Sequence, residues 1–299
     1  MKSTVSEATA RRWMVHAGYK FGSWKKDVYV DDHERQEVVE FRKVLCSTWV
    51  SLSERMASFS GEAMDILESP NDVSQEQVVW VTHDESIFYA NDDGGMVWTN
   101  TSHPDLPKKG RGRSIMVSDF LCPCHGRLFM LGDSEALFVT EKLHVGKAQE
   151  GYWTSEHVIK QVTQRVLPAF AALYPGCTAL FTFDQSTNHA AYATDALRTS
   201  SMNLNPASIL TSLCSILEET IVAAGHVCLF FPKYHCELNP IESYWGAAKR
   251  HTRSNCDYSW NGLVQCVPRS LETYSYGLDY NMSKYAHKQT RATDASHKE

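Results

Sequence analysis

The sequence predicts an α/β fold in which helices flank a mixed β-sheet. Its 299 residues are 43% hydrophobic and 21% charged, which is ordinary for a globular chain with a substantial core. Segments rich in β-branched and aromatic residues, typical of strands, follow Gln77. Helix-like and strand-like segments then alternate from residue 154 to residue 250, the order of a layered α/β architecture.

Composition excludes several classes of protein. The net charge is −6, so binding to nucleic acid would depend on local basic patches rather than on a global basic field. No apolar run has the length of a signal peptide or of a membrane span. The nine cysteines are scattered through apolar segments, as buried thiols are in a reducing compartment. We therefore expect a soluble intracellular protein without a membrane partner.

The amino-terminal part, residues 1–75, is predicted to be a helical segment. Residues 3–17 have helical spacing, with Ser6 or Thr4 as a cap and Gly18 as the stop. Residues 31–56 are predicted to form a long amphipathic helix. Its apolar stripe would consist of Val38, Val39, Phe41, Leu45, Trp49 and Leu52.

The segment VVWVTHDESIFYAND, residues 78–92, opens a series of predicted strands that continues with GGMVWTN, SIMVSDFL and RLFML. A helix is predicted over residues 154–174, with Thr154 or Ser155 as its cap. A strand over 178–184, a helix over 208–224, the strand HVCLFFP and the helix opened by NPIESYWGAAKR follow. We expect residues 76–268 to form the main domain and residues 269–299 a polar, weakly ordered tail.

Three acidic residues fall where this layout would bring them together: Asp84 within the first strand, Asp184 at the end of the strand 178–184, and Glu242 at the start of the last helix. Converging carboxylates repel one another, and a divalent cation with oxygen ligands, such as Mg²⁺, removes that repulsion. Each residue also has a simpler interpretation. Asp84 and Asp184 could belong to turns, and Glu242 could complete a capping box with Asn239 as the helix cap.

Basic residues near these positions are candidates for contacts with phosphate groups. Lys249 and Arg253 follow Glu242 by seven and eleven residues and so share its helix face. The loop PKKGRGR, residues 107–113, contributes Lys108, Lys109, Arg111 and Arg113. Both sets could equally be solvated surface. The segment CPCHG suggests a zinc site at Cys122, Cys124 and His125, although its spacing is not the usual Cys-x2-Cys pair.

Three segments together resemble the mariner-like superfamily of DDE transposases, and most closely its fungal members. They are VTHDESIFYANDDGG, TFDQSTNHAAYATDAL and FFPKYHCELNPIESYWGAAKR. The last is the most specific, because its ELNPIE resembles the acidic-Leu-Asn-Pro-Ile-Glu block of the superfamily. The segments VDDHERQEVVEFR and GRGRSIMVSDFL are also similar to family segments, and the resemblance covers roughly residues 3–268.

The resemblance implies an RNase H-like fold for residues 76–268, with Asp84, Asp184 and Glu242 as the catalytic, metal-binding triad. It implies Mg²⁺ or Mn²⁺ as cofactor, and cleavage and strand transfer of DNA as the reaction. Asn188 and His189 would line the site. The partners would be transposon ends and target DNA, a homodimer would be the working assembly, and the location would be the nucleus.

The chain also departs from the superfamily. Only SEATARRWMVHAGYK resembles the DNA-binding module, and only its final recognition helix, so residues 1–75 would be a remnant of that module and its linker. The 58 residues from Asp184 to Glu242 exceed the superfamily's usual spacing. The chain would thus be a truncated, element-derived copy. The alternative function is that of a catalytically inactive transposon-derived protein that binds DNA or protein partners.

Overall fold

The computed structural model of the chain describes residues 5–22, 32, 34–61, 66–68, 70, 74–92, 97–100, 110–131, 136–189 and 215–273. Lys108 and Lys109 lie outside the described residues. So do the first part of the predicted helix 208–224 and the predicted tail from residue 274 onward.

The amino-terminal part contains two helices and two small hairpins. Helix α1 (Glu7–His16) begins after Ser6, whose hydroxyl accepts a hydrogen bond from the Thr9 N–H, as the sequence predicts. The following strand β1 (Tyr19–Gly22) pairs antiparallel with β5 (Val97–Asn100). Helix α2 (Gln36–Ser53) precedes a hairpin of β2 (Ser58–Ser60) and β3 (Ile66–Glu68).

The apolar stripe predicted for the second helix is only partly correct. Val38 is buried, and the Trp49 ring meets the Trp80 ring edge-on with 4.5 Å between their centroids. Phe41, by contrast, is 40% exposed. The helix is also shorter than predicted: it begins after Arg35, whose backbone is extended, and ends at Ser53.

The central sheet confirms the predicted mixed architecture. Its long strands are β4 (Val78–Tyr89), β6 (Ser114–Cys122), β10 (Glu141–Val145), β11 (Thr178–Phe183) and β12 (Val227–Phe230). They lie in the order β10-β6-β4-β11-β12. Strand β6 runs antiparallel to its neighbours, whereas β4, β11 and β12 are parallel to one another. The segment RLFML contributes β7 (Gly126–Arg127), beside β6, and β8 (Phe129–Leu131), which pairs with β9 (Ala136–Phe138).

The predicted helix 154–174 is continuous but not uniform. It consists of α3 (Ser155–Gln161), a π-helical turn (Val162–Val166) and α4 (Leu167–Leu173). Pro168 lacks the N–H that a regular helix would use here, and a π turn is one way for a helix to accommodate such a break. Helix α5 (Ile216–Ala223), α6 (Ile241–Asn255) and α7 (Trp260–Thr273) complete the described fold. Helix α7 was not predicted, and it continues past residue 269.

The alternation of side chains along the strands creates one apolar core on each face of the sheet. On one face, Val81 and Phe120 pack with residues of α3, α4 and α5. On the other face, Phe88 and Val117 pack with residues of α6 and α7. The molecule is therefore a sheet between two helical layers. No helix among the described residues is long and apolar enough to cross a membrane.

A buried ion pair joins the sheet to its surroundings. Arg127 Nε lies 2.7 Å from Asp119 Oδ2, and the two side chains are 3% and 0% exposed. The same guanidinium also donates to Thr140 and, at 3.4 Å, to the carbonyl of Leu271 in α7. Breaking such a pair from one side leaves an uncompensated buried charge.

We expect Arg127→Met to lower the free energy of unfolding by about 3–5 kcal/mol, because Asp119 would lose its countercharge. Chemical denaturation monitored by circular dichroism measures the change. The matched control is Arg165→Met, which removes a pair with Glu141 whose side chains are 42% and 32% exposed. That variant should lose less than about 1 kcal/mol. Equal losses in the two variants would contradict the account.

Candidate active site

Asp84, Asp184 and Glu242 line one cavity of about 410 Å³. Asp84 lies within β4, Asp184 directly follows β11, and Glu242 is the second residue of α6. The first two meet because β4 and β11 are parallel neighbours in which Thr82 lies opposite Thr182. The side chains thus gather near the carboxyl end of a central strand, where ligand sites of open α/β sheets form.

Asn239 attaches the start of α6 to β4 and so positions Glu242. Its amide oxygen accepts a hydrogen bond from the Thr82 hydroxyl at 2.5 Å, and its amide nitrogen donates to the His83 carbonyl at 3.2 Å. The Ile241 N–H also donates to the Asn239 side chain, at 3.4 Å. Asn239 is itself 4% exposed. The link holds the first turn of α6 against the strand that carries Asp84.

The capping-box interpretation of Glu242 is wrong. Helix α6 begins at Ile241 after Pro240, and the Asn239 N–H donates to the Cys236 carbonyl at 3.0 Å rather than to the Glu242 carboxylate. The Glu242 carboxylate lines the cavity instead. The polar role of the cap is taken by Asn239, which serves β4 and the helix start together.

The charges in the cavity are mutually unfavourable. Burial, followed by the negative charges of Glu242, Glu85 and Asp184, holds the pKa of Asp84 well above its usual value. The Trp245 indole N–H donates to Asp84 Oδ2 at 3.0 Å and fixes this carboxyl in place. Burial also raises the pKa of Glu242, and the positive charge of Lys249 opposes that rise.

The Asp184 carboxylate pairs with the His189 side chain. The His189 Nδ1 atom lies 2.7 Å from Asp184 Oδ1. Burial raises the pKa of Asp184, but the hydrogen bond and charge of His189 outweigh it, so the pKa is lower than usual. Burial likewise disfavours the charged imidazole, yet Asp184 and Glu85 raise the pKa of His189 to about 10. Asn188 lies in the same turn, and neither Asn188 nor His189 is among the residues that line the cavity.

The donor set of the cavity fits a hard divalent cation, because it consists of carboxylates whose repulsion a cation relieves. The three carboxylates are more widely spaced than a closed ligand set. Among the described residues, the donor atoms that all lie within 4.8 Å of one another are those of His83, Glu85 and His189. Repulsion between like charges is a physical reason for the wider spacing of the acidic residues.

The segment 231–236 also lines the cavity. Tyr234 has a φ of 67°, a left-handed conformation that costs a non-glycine residue roughly 1–2 kcal/mol. His235 Nε2 lies 3.2 Å from Arg42 Nη1, and its Nδ1 lies 2.6 Å from Glu237 Oε1. These contacts connect α2 to the cavity wall.

The predicted phosphate-binding residues that the structure describes differ in their surroundings. Lys249 is half-buried, with its ammonium 5.9 Å from the centre of the Phe88 ring. Arg253 forms an ion pair with Asp92 at 2.9 Å. Arg111 and Arg113 are exposed, and their guanidinium groups lie over the rings of Tyr89 and Trp260 at 5.0 Å and 3.8 Å.

These basic residues form a series that starts beside Glu242 and continues along α6 to the segment of Arg111. Lys249 and Arg253 lie on α6 beyond Glu242. Asp92, the partner of Arg253, adjoins Asn91, whose N–H donates to the Arg111 carbonyl at 3.0 Å.

The segment CPCHG does not form a closed metal site among the described residues. Cys122 Sγ lies 3.2 Å from His125 Nδ1. Burial raises the pKa of Cys122. Hydrogen bonds with Cys124 and His125 outweigh that effect, so the pKa lies well below its usual value. The segment is not part of any set of three donor atoms that lie within 4.8 Å of one another among the described residues. The zinc interpretation of CPCHG therefore gains no support.

Sequence reasoning missed His83, Glu85 and Trp245. The first two flank Asp84 on β4 and so point to the opposite face of the sheet. Trp245 stands three residues after Glu242 on α6, a spacing that places both on one side of the helix.

No protein-family model and no curated protein sequence matches the chain. Solved structures do. A Mos1 transposase paired-end complex with the left transposon end matches with a TM-score of 0.55 and 14% identity, over 98% of this chain and 70% of that one. The Mos1 mariner paired-end complex with Mn matches with a TM-score of 0.54 and 14% identity, over 98% and 71%. The catalytic domain of Mos1 mariner transposase matches with a TM-score of 0.51 and 11% identity, over 91% and 97%.

The fold is that of a mariner transposase catalytic domain. The predicted RNase H-like architecture, a mixed sheet flanked by helices, is confirmed. At identities of 11% and 14% the likeness extends to the fold and not to the activity.

We expect Asp84→Asn to stabilise the metal-free protein. A group whose folded pKa is raised contributes stability that is present below its unfolded pKa and is lost as the pH rises through the folded pKa. Asp84 is such a group, so the wild type should lose stability above about pH 4, whereas asparagine carries no charge to bury. The asparagine amide oxygen can still accept from Trp245.

Thermal unfolding in the presence of a chelator, from about pH 4 to about pH 8, measures this difference. The melting temperature of Asp84→Asn should exceed that of the wild type increasingly with pH. Glu219→Gln, an exposed change on α5, is the control and should follow the wild type. A variant that melts below the wild type throughout this range would contradict the account.

Proposed function

We propose that this chain is a DDE-type transposase or endonuclease domain that cleaves DNA phosphodiester bonds and transfers the strands with a divalent metal ion. The observation that carries the proposal is the cavity in which Asp84, Asp184 and Glu242 meet. Three carboxylates from two parallel strands and a helix start are held there by dedicated contacts. The transposase-like fold supports the same reaction class.

Asp84, Asp184 and Glu242 would hold Mg²⁺ or Mn²⁺. When bound, such ions would activate the attacking oxygen and stabilise the leaving oxygen in phosphodiester chemistry. One of the similar structures, the Mos1 mariner paired-end complex, is described with Mn. Burial and then the neighbouring negative charges raise the pKa of Asp84, and a cation would neutralise those charges.

Each carboxylate has a residue that orients it. Trp245 donates to Asp84, His189 pairs with Asp184, and Asn239 fixes the helix turn that carries Glu242. Such support matters because ligands must be held in place before the substrate arrives. The low pKa of Asp184 keeps it ionised and ready to bind a cation at neutral pH.

DNA would lie along the basic residues that lead away from the cavity, which are Lys249, Arg253, Arg111 and Arg113. Lys108 and Lys109, outside the described residues, stay predicted DNA contacts from the sequence. Such cations contact phosphates and position a duplex without reading its sequence. Arg253 would exchange Asp92 for a phosphate group on binding, since both are anions. The net charge of −6 makes this local path necessary.

The remaining parts of the proposal follow from the resemblance. The partners would be transposon ends and target DNA, the working form a homodimer, and the location the nucleus. Residues 76–268 would be the catalytic domain, which helix α7 extends to Thr273. Residues 1–75 would be a remnant of the DNA-binding module, and the predicted tail 269–299 would start only after that helix. The affinity with fungal members and the truncation stay predictions from the sequence.

The wild-type chain should nick supercoiled plasmid DNA in Mn²⁺, a substrate that needs no knowledge of the recognised sequence. Asp184→Asn should reduce nicking at least about 100-fold, because it removes a charged ligand of the cation. Conversion of supercoiled to open-circular DNA on agarose gels measures the rate. Glu219→Gln on α5 is the matched control and should nick as the wild type does.

Equal nicking by the wild type and Asp184→Asn would contradict the triad. No nicking by a folded wild type would contradict catalysis and favour the alternative function, that of an inactive transposon-derived protein that binds DNA or protein partners. A gel-shift assay on the same DNA would then measure the binding.

A further inference from the structure

We propose that His83, Glu85 and His189 bind one transition-metal ion of the zinc type, at a buried site separate from the acidic cavity. One donor atom from each of these residues lies within 4.8 Å of the other two. His83 and Glu85 alternate with Asp84 along β4 and therefore point to the opposite face of the sheet. His189 completes the group from the turn that follows β11.

Two ring nitrogens in this group have no hydrogen-bond partner among the described residues. They are His83 Nδ1 and His189 Nε2, and both side chains are fully buried. Buried polar atoms are normally satisfied, and an exception indicates an unrecorded ligand or a functional role. A metal ion between these nitrogens and Glu85 would satisfy both atoms.

The hydrogen bonds of His83 leave the correct nitrogen free. Ser118 donates its hydroxyl hydrogen to Gln161 Oε1 at 2.7 Å, so it accepts from His83 Nε2 at 2.8 Å. The Gln161 amide is oriented in turn, because its nitrogen donates to the carbonyls of Ser118 and Val139. His83 Nδ1 therefore carries a lone pair that can bind a metal.

The other two ligands are oriented in the same manner. His189 Nδ1 faces Asp184 Oδ1 at 2.7 Å, so Nε2 is the nitrogen that would bind the metal, and binding would release to solvent the Nε2 proton that the raised pKa of His189 retains at neutral pH. Glu85 Oε1 accepts a hydrogen bond from the Trp153 indole at 2.8 Å. Metal-binding histidines usually donate their second ring N–H to a carboxylate or another acceptor, and this arrangement fixes the tautomer and the ring orientation.

The donor types and the one close donor separation fit zinc. His189 Nε2 lies 3.4 Å from Glu85 Oε1. Bonds of about 2.0–2.1 Å in a tetrahedral site give a donor separation of roughly 3.4 Å. Two imidazole nitrogens and one carboxylate favour Zn²⁺, Co²⁺ or Fe²⁺, whereas Mg²⁺ requires oxygen ligands. The rings of Phe120 and Phe183 pack against the His83 ring, with centroid distances of 4.4 Å and 5.2 Å.

The test measures metal binding without DNA. Asp84→Asn protein, in which the acidic cavity is impaired, is stripped with a chelator and titrated with Zn²⁺ and Co²⁺ in excess Mg²⁺. We expect one equivalent of either metal, a visible Co²⁺ absorption typical of low coordination, and two imidazoles in the X-ray absorption spectrum of the zinc form. His83→Gln and His189→Gln, each added to this background, should weaken binding at least about 100-fold.

The control variant is His226→Gln, a half-buried histidine whose Nδ1 accepts from the Ala179 N–H and which should leave the metal affinity unchanged. Absence of stoichiometric metal, or zinc without imidazole ligands, would overturn the proposal. The metal stoichiometry and the X-ray absorption spectrum are measured on protein that retains both histidines, so they test the proposal even if a histidine variant fails to fold. The result is independent of plasmid nicking, so this site and the proposed function can fail separately.

Discussion

Strand β4 carries acidic side chains on both of its faces, and the surrounding structure is organised by that constraint. A strand flanked by parallel and antiparallel neighbours is buried, so each ionisable side chain on it requires a partner. Asp84 has Trp245 on the side of α6 and α7. Glu85 has Trp153 and His189 on the side of α3 and α5.

The two faces meet at Asp184. Its backbone follows the strand next to β4, its carboxylate lines the acidic cavity, and His189 holds it from the opposite face. A substitution of His189 would therefore alter the surroundings of the Asp184 carboxylate in the cavity, because the two side chains are 2.7 Å apart. In this arrangement the acidic cavity and the proposed second metal site are connected through the pair of Asp184 and His189.

Much of the fold follows from local patterns in the sequence. The strands at β4, β6 and β11 are apolar and rich in β-branched or aromatic residues, and the structure forms all three. Helix α7 escaped prediction because Gly262 and Pro268 disfavour a helix, although Leu263, Val267 and Leu271 have helical spacing and are buried. Tertiary packing on β4 outweighed the weak local propensity.

The site was predictable in outline and not in its contacts. The positions of Asp84 and Asp184 on neighbouring strands follow from the strand order, whereas the role of Asn239 depends on a hydrogen bond to a residue 157 positions away. Likewise, the ELNPIE segment is compatible with a capping box, and only the packing of α6 on β4 turns Glu242 toward the cavity. Partners distant in sequence decide these details.

Diffraction at the manganese absorption edge from crystals soaked in Mn²⁺ tests the central claim most directly. The account predicts anomalous density bounded by Asp84, Asp184 and Glu242. Manganese density elsewhere with none among these three carboxylates, in crystals that diffract well enough to resolve their side chains, would contradict it.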